Sequence, residues 1–432
     1  MTEMRKEVDF VFEQVRKHHK WFENCIPMIA SENLISPLAM QMLVSDFHGR
    51  YAEGHPGARY YQGNIYVDIV EEKAIELAKK LFKCEYADVR PISGTVANLG
   101  VLFALTQPGD TISTCSVADG AHISTAVFGA VGVRGLKPVS YPFDLENMNI
   151  HVEKTKKMLK ETRPKLALFG MSVFLFPTPI EELKDTLDEI GATVWYDAAH
   201  VLGLIAGGEF QDPLREGVDI VTGSTHKTLP GPQRGILFGN PRDEEMKTKL
   251  DYGMFPGVLS NHHLHTMAAL AVTLAEHIEF GREYAKQIVR NAQALGQALY
   301  ERGFDVVAEH LGFTRSHTLA MYIKRYCGGK KAVEDLERAN IITNKNLMPG
   351  DHPDMAHDPS GIRLGSQEMT RIGMKEKDMD TVAEFFKRIL IDKEKPEKVR
   401  EDVIEFKKDF KTIHYCFKEG SKAYEFPEIL FK

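Results

Sequence analysis

The 432-residue sequence predicts an α/β protein in which a mostly parallel sheet lies between helices and a smaller α+β domain follows. Two observations predict this class. Short apolar runs alternate with helical patterns between about residues 60 and 260, which is typical of a parallel sheet with helices on its faces. The composition, 43% hydrophobic and 27% charged, is that of a globular protein that can bury a large core.

One strand–helix–strand unit carries the sheet prediction. The run KLALFG (165–170) reads as a strand, TVWYD (193–197) as a second and VDIVTG (218–223) as a third. Between the first two, TPIEELKDTLDEIG (178–191) reads as a helix. We expect Thr178 to cap it, Pro179 to occupy its first position and Gly191 to end it.

The flanks complete the architecture. Residues 1–35 read as a helical arm and a loop, residues 36–300 as a large domain, and residues 301–432 as a small C-terminal domain. A long helical pattern (265–302) closes at Gly303, and FDVVAE (304–309) begins a new strand.

The bulk composition excludes several classes of partner. A net charge of -7 provides no field for nucleic acid or anionic lipid, and no apolar run approaches the roughly 18 residues of a membrane span. The N-terminus lacks the uncharged core of a signal peptide, and the five cysteines form no C-x-x-C pair. We therefore expect a cytoplasmic protein that binds neither nucleic acid nor membrane.

Polar side chains follow each of the three strands. In open α/β sheets, ligands bind beyond the carboxyl ends of the strands. If the strands are neighbours, an acid, two histidines, a lysine and several hydroxyls converge there: Ser172, Asp197, His200, Ser224, Thr225, His226 and Lys227.

These residue types suit one cofactor. A desolvated lysine loses proton affinity and becomes a nucleophile that forms an imine with an aldehyde. If the aldehyde is pyridoxal 5'-phosphate, Asp197 can keep the ring nitrogen protonated. The phosphate needs donors at a helix start, and ISGTVANLGVLFAL (92–105) offers Ser93, Gly94 and Thr95.

Each feature also has a plain structural interpretation. A lysine after a strand is usually just exposed, Asp197 could be a capping residue, and Ser93–Gly94 could be an ordinary helix start. Their order on consecutive strand–helix edges favours the cofactor site.

Several longer motifs point to one enzyme family. They are IASENLIS (29–36), RYAEGHPGARYYQG (50–63), SGTVAN (93–98), DGAHIS (119–124), YDAAHVLGLIAG (196–207), GSTHKTLPGPQRG (223–235), FPGVLSNHHLH (255–265), NKNLMP (344–349) and SGIRLGSQE (360–368). With these motifs the chain resembles serine hydroxymethyltransferase, and most closely its archaeal branch, nearly from end to end.

The resemblance implies the fold-type I architecture of pyridoxal-phosphate enzymes and a homodimer with an active site shared between subunits. It implies that Lys227 binds the cofactor covalently with His226 beside it, and that Asp197 pairs with the ring nitrogen. The other cofactor contacts that it implies are Ser93, Gly94 and Thr95 at the phosphate, Gly257 of the partner subunit, His122 on the ring face, His200 at the phenolic oxygen, and Ser172, Ser224 and Thr225 along the ring edge.

The resemblance also implies the substrates. Serine and glycine would interconvert, with a reduced pterin, tetrahydrofolate or tetrahydromethanopterin, carrying the one-carbon unit. Arg363, assisted by Ser31, would bind the amino-acid carboxylate. Three groups would come from the other subunit: Tyr51, Tyr61 and Glu53, the acid/base at the substrate hydroxyl. Tyr60 would lie near the pterin. The implied catalytic residues are Lys227, Glu53, His226 and Tyr61.

Some positions depart from the family pattern, among them Arg90, Arg234 and Thr266. They leave two alternatives open within the enzyme class: a pterin-independent aldolase for β-hydroxy amino acids, or a hydroxymethyltransferase for another amino acid. A non-catalytic paralogue is a third. His262, His263 and His265 form a cluster, but no thiolate or carboxylate is spaced to complete a metal site, so we expect no metal.

Overall fold

A computed structural model of the chain describes residues 3–427. Its helices, numbered in chain order, are α1 (Glu3–Phe22), α2 (Pro37–Leu43), α3 (Ile65–Phe82), α4 (Gly94–Leu105), α5 (Ala130–Val133), α6 (Val152–Thr162), α7 (Ile180–Ile190), α8 (Leu202–Gly207), α9 (Glu244–Tyr252), α10 (Leu264–Glu301), α11 (Gly329–Arg338), α12 (Gln367–Arg371), α13 (Glu376–Leu390) and α14 (Pro396–Lys407).

The strands are mostly short. In chain order they are β1 (Ile26–Pro27), β2 (Gly54–His55), β3 (Ala58–Arg59), β4 (Tyr86–Asp88), β5 (Thr111–Thr114), β6 (Lys137–Ser140), β7 (Phe143–Asp144), β8 (Asn149–Ile150), β9 (Leu166–Phe169), β10 (Thr193–Asp197), β11 (Ile220–Ser224), β12 (Gly235–Gly239), β13 (Asp305–Val306), β14 (Thr318–Tyr322), β15 (Ile341–Ile342), β16 (Asn344–Asn346) and β17 (Gly361–Gly365).

The central sheet has the order β4-β12-β11-β10-β9-β5-β6. Strand β12 runs antiparallel to both neighbours, and the other pairs are parallel. The three predicted strands are adjacent, because Trp195 of β10 lies opposite Leu168 of β9 and Ile220 of β11. All three are apolar and buried because helices cover both faces of the sheet. The predicted fold class is confirmed, and the carboxyl ends of these strands meet at one edge.

The start of α7 differs from the prediction. The helix begins at Ile180 with Pro179 at the N-cap position, and Thr178 lies one residue outside it. The side-chain amide of Gln211 binds both backbone groups of Thr178, at 2.7 and 3.1 Å. These bonds hold Thr178 away from the helix axis, so its hydroxyl does not cap the helix. The predicted end is correct, since Gly191 adopts the left-handed conformation of a C-cap at φ 69°.

A second sheet, of order β13-β14-β17-β16, is antiparallel and packs with α11, α13 and α14. The strand predicted at 304–309 is shorter than expected and covers only Asp305–Val306. Ala308 adopts the left-handed conformation at φ 58° and turns the chain out of the sheet into a short helical turn. The long helix α10 packs against α3 and α8 of the large sheet and against α13 beside the small one.

The N-terminal helix α1 buries none of its residues, and even its large apolar side chains Phe10, Val11 and Phe12 are exposed. Within residues 3–427, no helix combines the length and apolar character that crossing a bilayer requires.

Candidate active site

The strand ends surround a cavity of about 210 Å³. Most of the predicted cofactor residues line it: Ser93, Gly94, Thr95, His122, Ser172, Asp197, His200, Ser224, His226 and Lys227. Thr225 does not. It is fully buried and its hydroxyl donates to the carbonyl oxygen of Pro232 at 2.7 Å, so it holds the turn that follows β11.

Lys227 follows the end of β11 and is only 8% exposed. Burial lowers its pKa to about 8; Asp197 acts against this shift and Arg363 adds to it. The carbonyl oxygen of Lys227 accepts a hydrogen bond from Asn33 Nδ2 at 2.6 Å, which helps to fix the backbone at this position. A lysine in these surroundings is a nucleophilic amine at neutral pH.

Asp197 is held by two hydrogen bonds that fix its orientation. Its Oδ2 accepts from Asn98 Nδ2 at 2.8 Å, and its Oδ1 accepts from the backbone N–H of Ala199 at 2.9 Å. Asn98 Oδ1 in turn accepts from the hydroxyl of Thr222 at 2.7 Å, which itself accepts from Trp195 Nε1 at 2.9 Å. A chain of buried hydrogen bonds therefore anchors the carboxylate to the core of the sheet.

The start of α4 fits a phosphate. Ser93 is its N-cap, and the Ser93 hydroxyl accepts from the N–H of Val96 at 3.1 Å. The N–H groups of a helix's first turn lack intrahelical acceptors and attract anions. A Cβ on Gly94 would lie 2.5 Å from Ser224 Oγ, so only glycine lets this helix start approach β11 so closely. The two elements together form a cradle lined by hydroxyl and N–H donors.

The histidines around the cavity are uncharged. Burial lowers the pKa of His122, lowers that of His226 to about 4, and places that of His200 well below its ordinary value. His226 Nδ1 is buried and has no hydrogen-bond partner within the described part of the chain. These rings can donate or accept single hydrogen bonds toward a bound group without adding positive charge.

Arg363, on the small sheet, lies beside the cavity, because it binds the backbone of the lining residue Ser172 and acts electrostatically on Lys227. It lies on β17, is 8% exposed, and donates from Nη1 to the carbonyl oxygen of Ser172 at 3.0 Å and from Nε to Asn344 Oδ1 at 3.3 Å. Both partners are neutral oxygens, so the positive charge stays available for an anion. Burial lowers the pKa of Arg363 to about 10, which still leaves it charged at neutral pH.

Six predicted residues lie elsewhere in the single chain. Ser31 lines a neighbouring cavity that it shares with His226. The other five lie outside the cavity at Lys227, on or near exposed segments: Tyr51, Glu53, Tyr60, Tyr61 and Gly257.

The segment that carries Tyr51 to Tyr61 is nevertheless well ordered by its own contacts. The side chain of Arg59 is only 3% exposed; it donates to the carbonyl oxygens of Ala52 and Gly54 at 2.9 and 2.6 Å and pairs with Glu71 at 2.6 Å. The side chain of Asn64 donates to the carbonyl oxygens of Tyr51 and Tyr61 at 3.1 Å each. The segment is therefore presented as a rigid outward-facing loop.

The three named positions that depart from the family pattern are in contact through Arg234. Arg234 is fully buried and donates to Thr266 Oγ1 at 2.7 Å and to the carbonyl oxygens of His263 and Arg90 at 2.6 and 3.0 Å. The buried guanidinium of Arg234 therefore joins the half-buried Thr266 to the backbone of Arg90. The neighbouring His262 pairs with Glu71 at 3.1 Å, and among residues 3–427 no group of three or more metal-ligating side chains converges.

The sequence did not single out Asn98 as the residue that orients Asp197, although Asn98 stands in the motif SGTVAN. It also overlooked His317, which contacts His200. Neither partnership has a local signal, since the paired residues are 99 and 117 positions apart.

A buried lysine after a parallel strand, an anchored carboxylate and a glycine-containing helix start define a pyridoxal-phosphate enzyme of fold type I. Residues 4–386 match the family model of serine hydroxymethyltransferase, and the chain belongs to this family. Its membership confirms the predicted fold class, the cofactor and the enzyme class, a glycine hydroxymethyltransferase.

Similar proteins agree. The chain is 54% identical over 427 residues to the serine hydroxymethyltransferase of Picrophilus torridus, covering 99% of this chain and 98% of that one. It is also 54% identical to that of Methanocaldococcus jannaschii, over 94% of each chain. A solved L-threonine transaldolase of Pseudomonas fluorescens, in its internal aldimine state, is 29% identical with a TM-score of 0.87 over 96% of this chain and 94% of that chain.

Proposed function

We propose that this chain moves a hydroxymethyl group between serine and glycine, with a reduced pterin as the one-carbon carrier, in an active site completed by a second copy. The observation that carries the proposal is the cavity lined by Lys227 and Asp197, with Arg363 close enough beside it to lower the pKa of Lys227. It combines a nucleophilic amine, an oriented carboxylate and an available guanidinium, which are the groups that an amino-acid substrate and this cofactor require.

The cofactor residues have separable tasks. Lys227 would hold pyridoxal phosphate and release it to the incoming amino acid, and its lowered pKa provides the unprotonated amine. Asp197 would bind the ring nitrogen, and Ser93, Gly94 and Thr95 would bind the phosphate at the start of α4. Once bound, the cofactor supplies a ring that withdraws electrons from the α-carbon of the amino acid.

The remaining cavity residues would orient the two ligands. His122 would cover the ring face and His200 would donate to the phenolic oxygen, while Ser172 and Ser224 line the ring edge. Thr225 acts only through the turn that it holds.

The amino-acid carboxylate would bind Arg363, which offers a planar pair of donors that match its two oxygens. Ser31 and His226 line the adjoining cavity, and each would contact a ligand bound between the two cavities. Both assignments rest on geometry and on the family's motifs.

The other half of the site would come from a second copy. Tyr60 is 73% exposed, Tyr51 and Tyr61 are each close to half exposed, and the rigid loop that carries them also carries Glu53. Large apolar side chains on α1 and at the start of α3 are exposed in the described part of the chain, which supports a homodimer. Glu53 would then move the proton of the substrate hydroxyl, with Tyr61 beside it, and Gly257 would approach the phosphate.

The proposal also covers the pterin and the cellular setting. Tyr60 would contact the pterin, whether tetrahydrofolate or tetrahydromethanopterin. The enzyme would act in the cytoplasm in one-carbon and amino-acid metabolism, without nucleic acid, membrane or metal.

We divide the chain into an arm (1–35), a large domain (36–300) and a small domain (301–432), a division supported by separate apolar clusters around the two sheets.

The direct test of turnover measures glycine formed from serine by the purified protein with tetrahydrofolate, with tetrahydromethanopterin and without a pterin. The proposal predicts that one pterin raises the rate strongly. Equal rates with and without either pterin would instead establish an aldolase for β-hydroxy amino acids.

The shared site is tested by mixing inactive chains. Lys227→Ala and Glu53→Gln chains, co-expressed, should regain about a quarter of the wild-type sites, because half of the dimers are mixed and each mixed dimer contains one intact site. The matched control mixes Lys227→Ala with Asp197→Asn, two residues of the same cavity, and should regain nothing. Failure of the first mixture to regain activity while the parent chains dimerise would refute the shared site.

A further inference from the structure

His317 is a buried histidine that the function described above does not use. It immediately precedes β14 in the small sheet and is completely shielded from solvent. Its Nε2 lies 3.0 Å from the carbonyl oxygen of Ala30 and 3.5 Å from Nδ1 of His200, whose ring lies nearly parallel at 21°. A residue of the small sheet therefore links the N-terminal segment to a histidine that lines the active-site cavity.

The position of its proton follows from hydrogen-bond chemistry. A carbonyl oxygen only accepts, so the short contact to Ala30 requires a proton on His317 Nε2. Burial lowers the pKa of His317 to about 3, so its ring is neutral and carries that one proton. The hydroxyl of Thr318 lies 3.2 Å from Nε2 and 3.4 Å from Nδ1, and Nδ1, which is unprotonated, can accept its proton.

The proton of His200 follows in turn. Its Nδ1 faces a nitrogen that already carries a proton, so it can only accept there. Burial, with Lys227 and Arg363 acting in the same direction, holds the pKa of His200 well below its ordinary value and keeps the ring neutral. Its single proton must therefore lie on Nε2, the nitrogen on the opposite side of the ring from His317.

We propose that His317 is a positioning residue that holds His200 in the Nε2–H tautomer, so that His200 donates a hydrogen bond to the phenolic oxygen of the cofactor. The part that concerns the cofactor rests on the proposed function, which places His200 at that oxygen. The link between the two rings rests on the structure alone.

His317 also binds the backbone beside Ser31, a residue of the proposed carboxylate site. The carbonyl group that His317 binds belongs to Ala30, the neighbour of Ser31, and Ser366 donates its backbone N–H to the carbonyl oxygen of His317 at 3.1 Å. His317 thus joins three chain segments at the point where the two sheets meet. Its loss should alter both the tautomer of His200 and the setting of the substrate's carboxylate site.

Two substitutions of His317 separate positioning from bulk structure. His317→Leu fills the space but donates nothing to Ala30 or His200. His317→Gln places an amide N–H near the position of Nε2 and should restore the donor. The matched control is His277→Leu, because His277 is equally buried and donates from Nε2 to the carbonyl oxygen of Gly203 at 2.9 Å without contacting His200.

The first readout needs no cofactor. In protein labelled with ¹⁵N histidine, the ring signals of His200, assigned by their absence from His200→Gln, should show the Nε2–H tautomer in the wild type and in His317→Gln. They should show a mixture of tautomers in His317→Leu. An unchanged Nε2–H pattern in His317→Leu would overturn the proposal, whether or not the protein binds pyridoxal phosphate.

The second readout is the visible absorption of the cofactor-loaded protein against pH. Loss of one hydrogen bond to the ionised phenolic oxygen should shift the midpoint upward by about one pH unit in His317→Leu, with recovery in His317→Gln and no shift in His277→Leu. An equal shift of the midpoint in His277→Leu would show that His317 has only a structural role, and would contradict the proposal. If the protein shows no visible absorption band, the proposed function is refuted instead. The link between the two rings is then tested by the tautomer measurement alone.

Discussion

The amine of Lys227 should titrate near pH 8 in the cofactor-free protein, because its desolvation is what prepares it for the cofactor. Burial lowers its pKa from 10.5 to about 8. At pH 7.5 about a quarter of such amines are unprotonated, against about a thousandth for a lysine in water, a difference of roughly 200-fold in reactive amine. The corresponding free energy is about 3 kcal/mol.

Competitive labelling measures this titration directly. Trace acetic anhydride, applied from pH 6 to 11 and followed by peptide mass spectrometry, yields a midpoint for each lysine in one sample. Lys184 serves as the internal control, since its hydrogen bond to Asp188 raises its pKa above 10.5. The midpoint for Lys227 should lie more than two pH units below that of Lys184.

Two variants give the prediction its direction. Arg363 lowers the pKa of Lys227 and Asp197 raises it. Arg363→Gln should therefore move the midpoint upward, and Asp197→Asn should move it downward. A Lys227 midpoint as high as that of Lys184, or shifts of the same sign in both variants, would refute the reasoning.

Three further predictions concern the cradle, the carboxylate site and the core. Gly94→Ala should weaken binding of pyridoxal phosphate roughly tenfold by calorimetry, since its Cβ pushes the rotatable Ser224 hydroxyl into the cradle at a cost of about 1 kcal/mol. Arg363→Lys should raise the KM for serine at least about tenfold while the visible spectrum persists, because one ammonium replaces a bidentate guanidinium. The free energy of unfolding, measured by urea titration, should fall between pH 7 and pH 4 by about 3 kcal/mol less in His277→Gln than in the wild type.

The sign of the last effect follows from burial. The folded protein holds His277 neutral, and burial lowers its pKa from 6.5 to about 4. Its contribution to stability is complete above pH 6.5 and is lost as the pH falls toward 4, because the unfolded chain takes up the proton first. Parallel pH curves for the two proteins, an unchanged affinity of Gly94→Ala for pyridoxal phosphate, or an unchanged KM in Arg363→Lys would each contradict its prediction.

The sequence predicted those features that depend on local pattern. The strands β9, β10 and β11 are short apolar runs between helix signals. Because parallel strands place the residues that follow them at one edge of the sheet, the sequence predicted that Asp197 and Lys227 lie close together. Ser93 and Gly94, which the sequence predicted at the start of a helix, lie at the start of α4.

Other features depend on contacts between distant parts of the chain and have no local signal. Asn98 orients Asp197, and His317 reaches His200 from the other sheet. Thr178 has the composition of a cap, but the side chain of Gln211 binds its backbone and displaces it from the helix. In each case the outcome is decided by one or two tertiary hydrogen bonds.

The central claim is that Lys227 carries the cofactor, and one measurement tests it most directly. The purified protein, loaded with pyridoxal phosphate and reduced with borohydride, is digested and its peptides are mapped by mass spectrometry. The account predicts a stable pyridoxyl adduct on the peptide that contains Lys227, and none on that peptide after Lys227→Ala. An adduct located on a different lysine in the native protein, or no adduct at all, would contradict it.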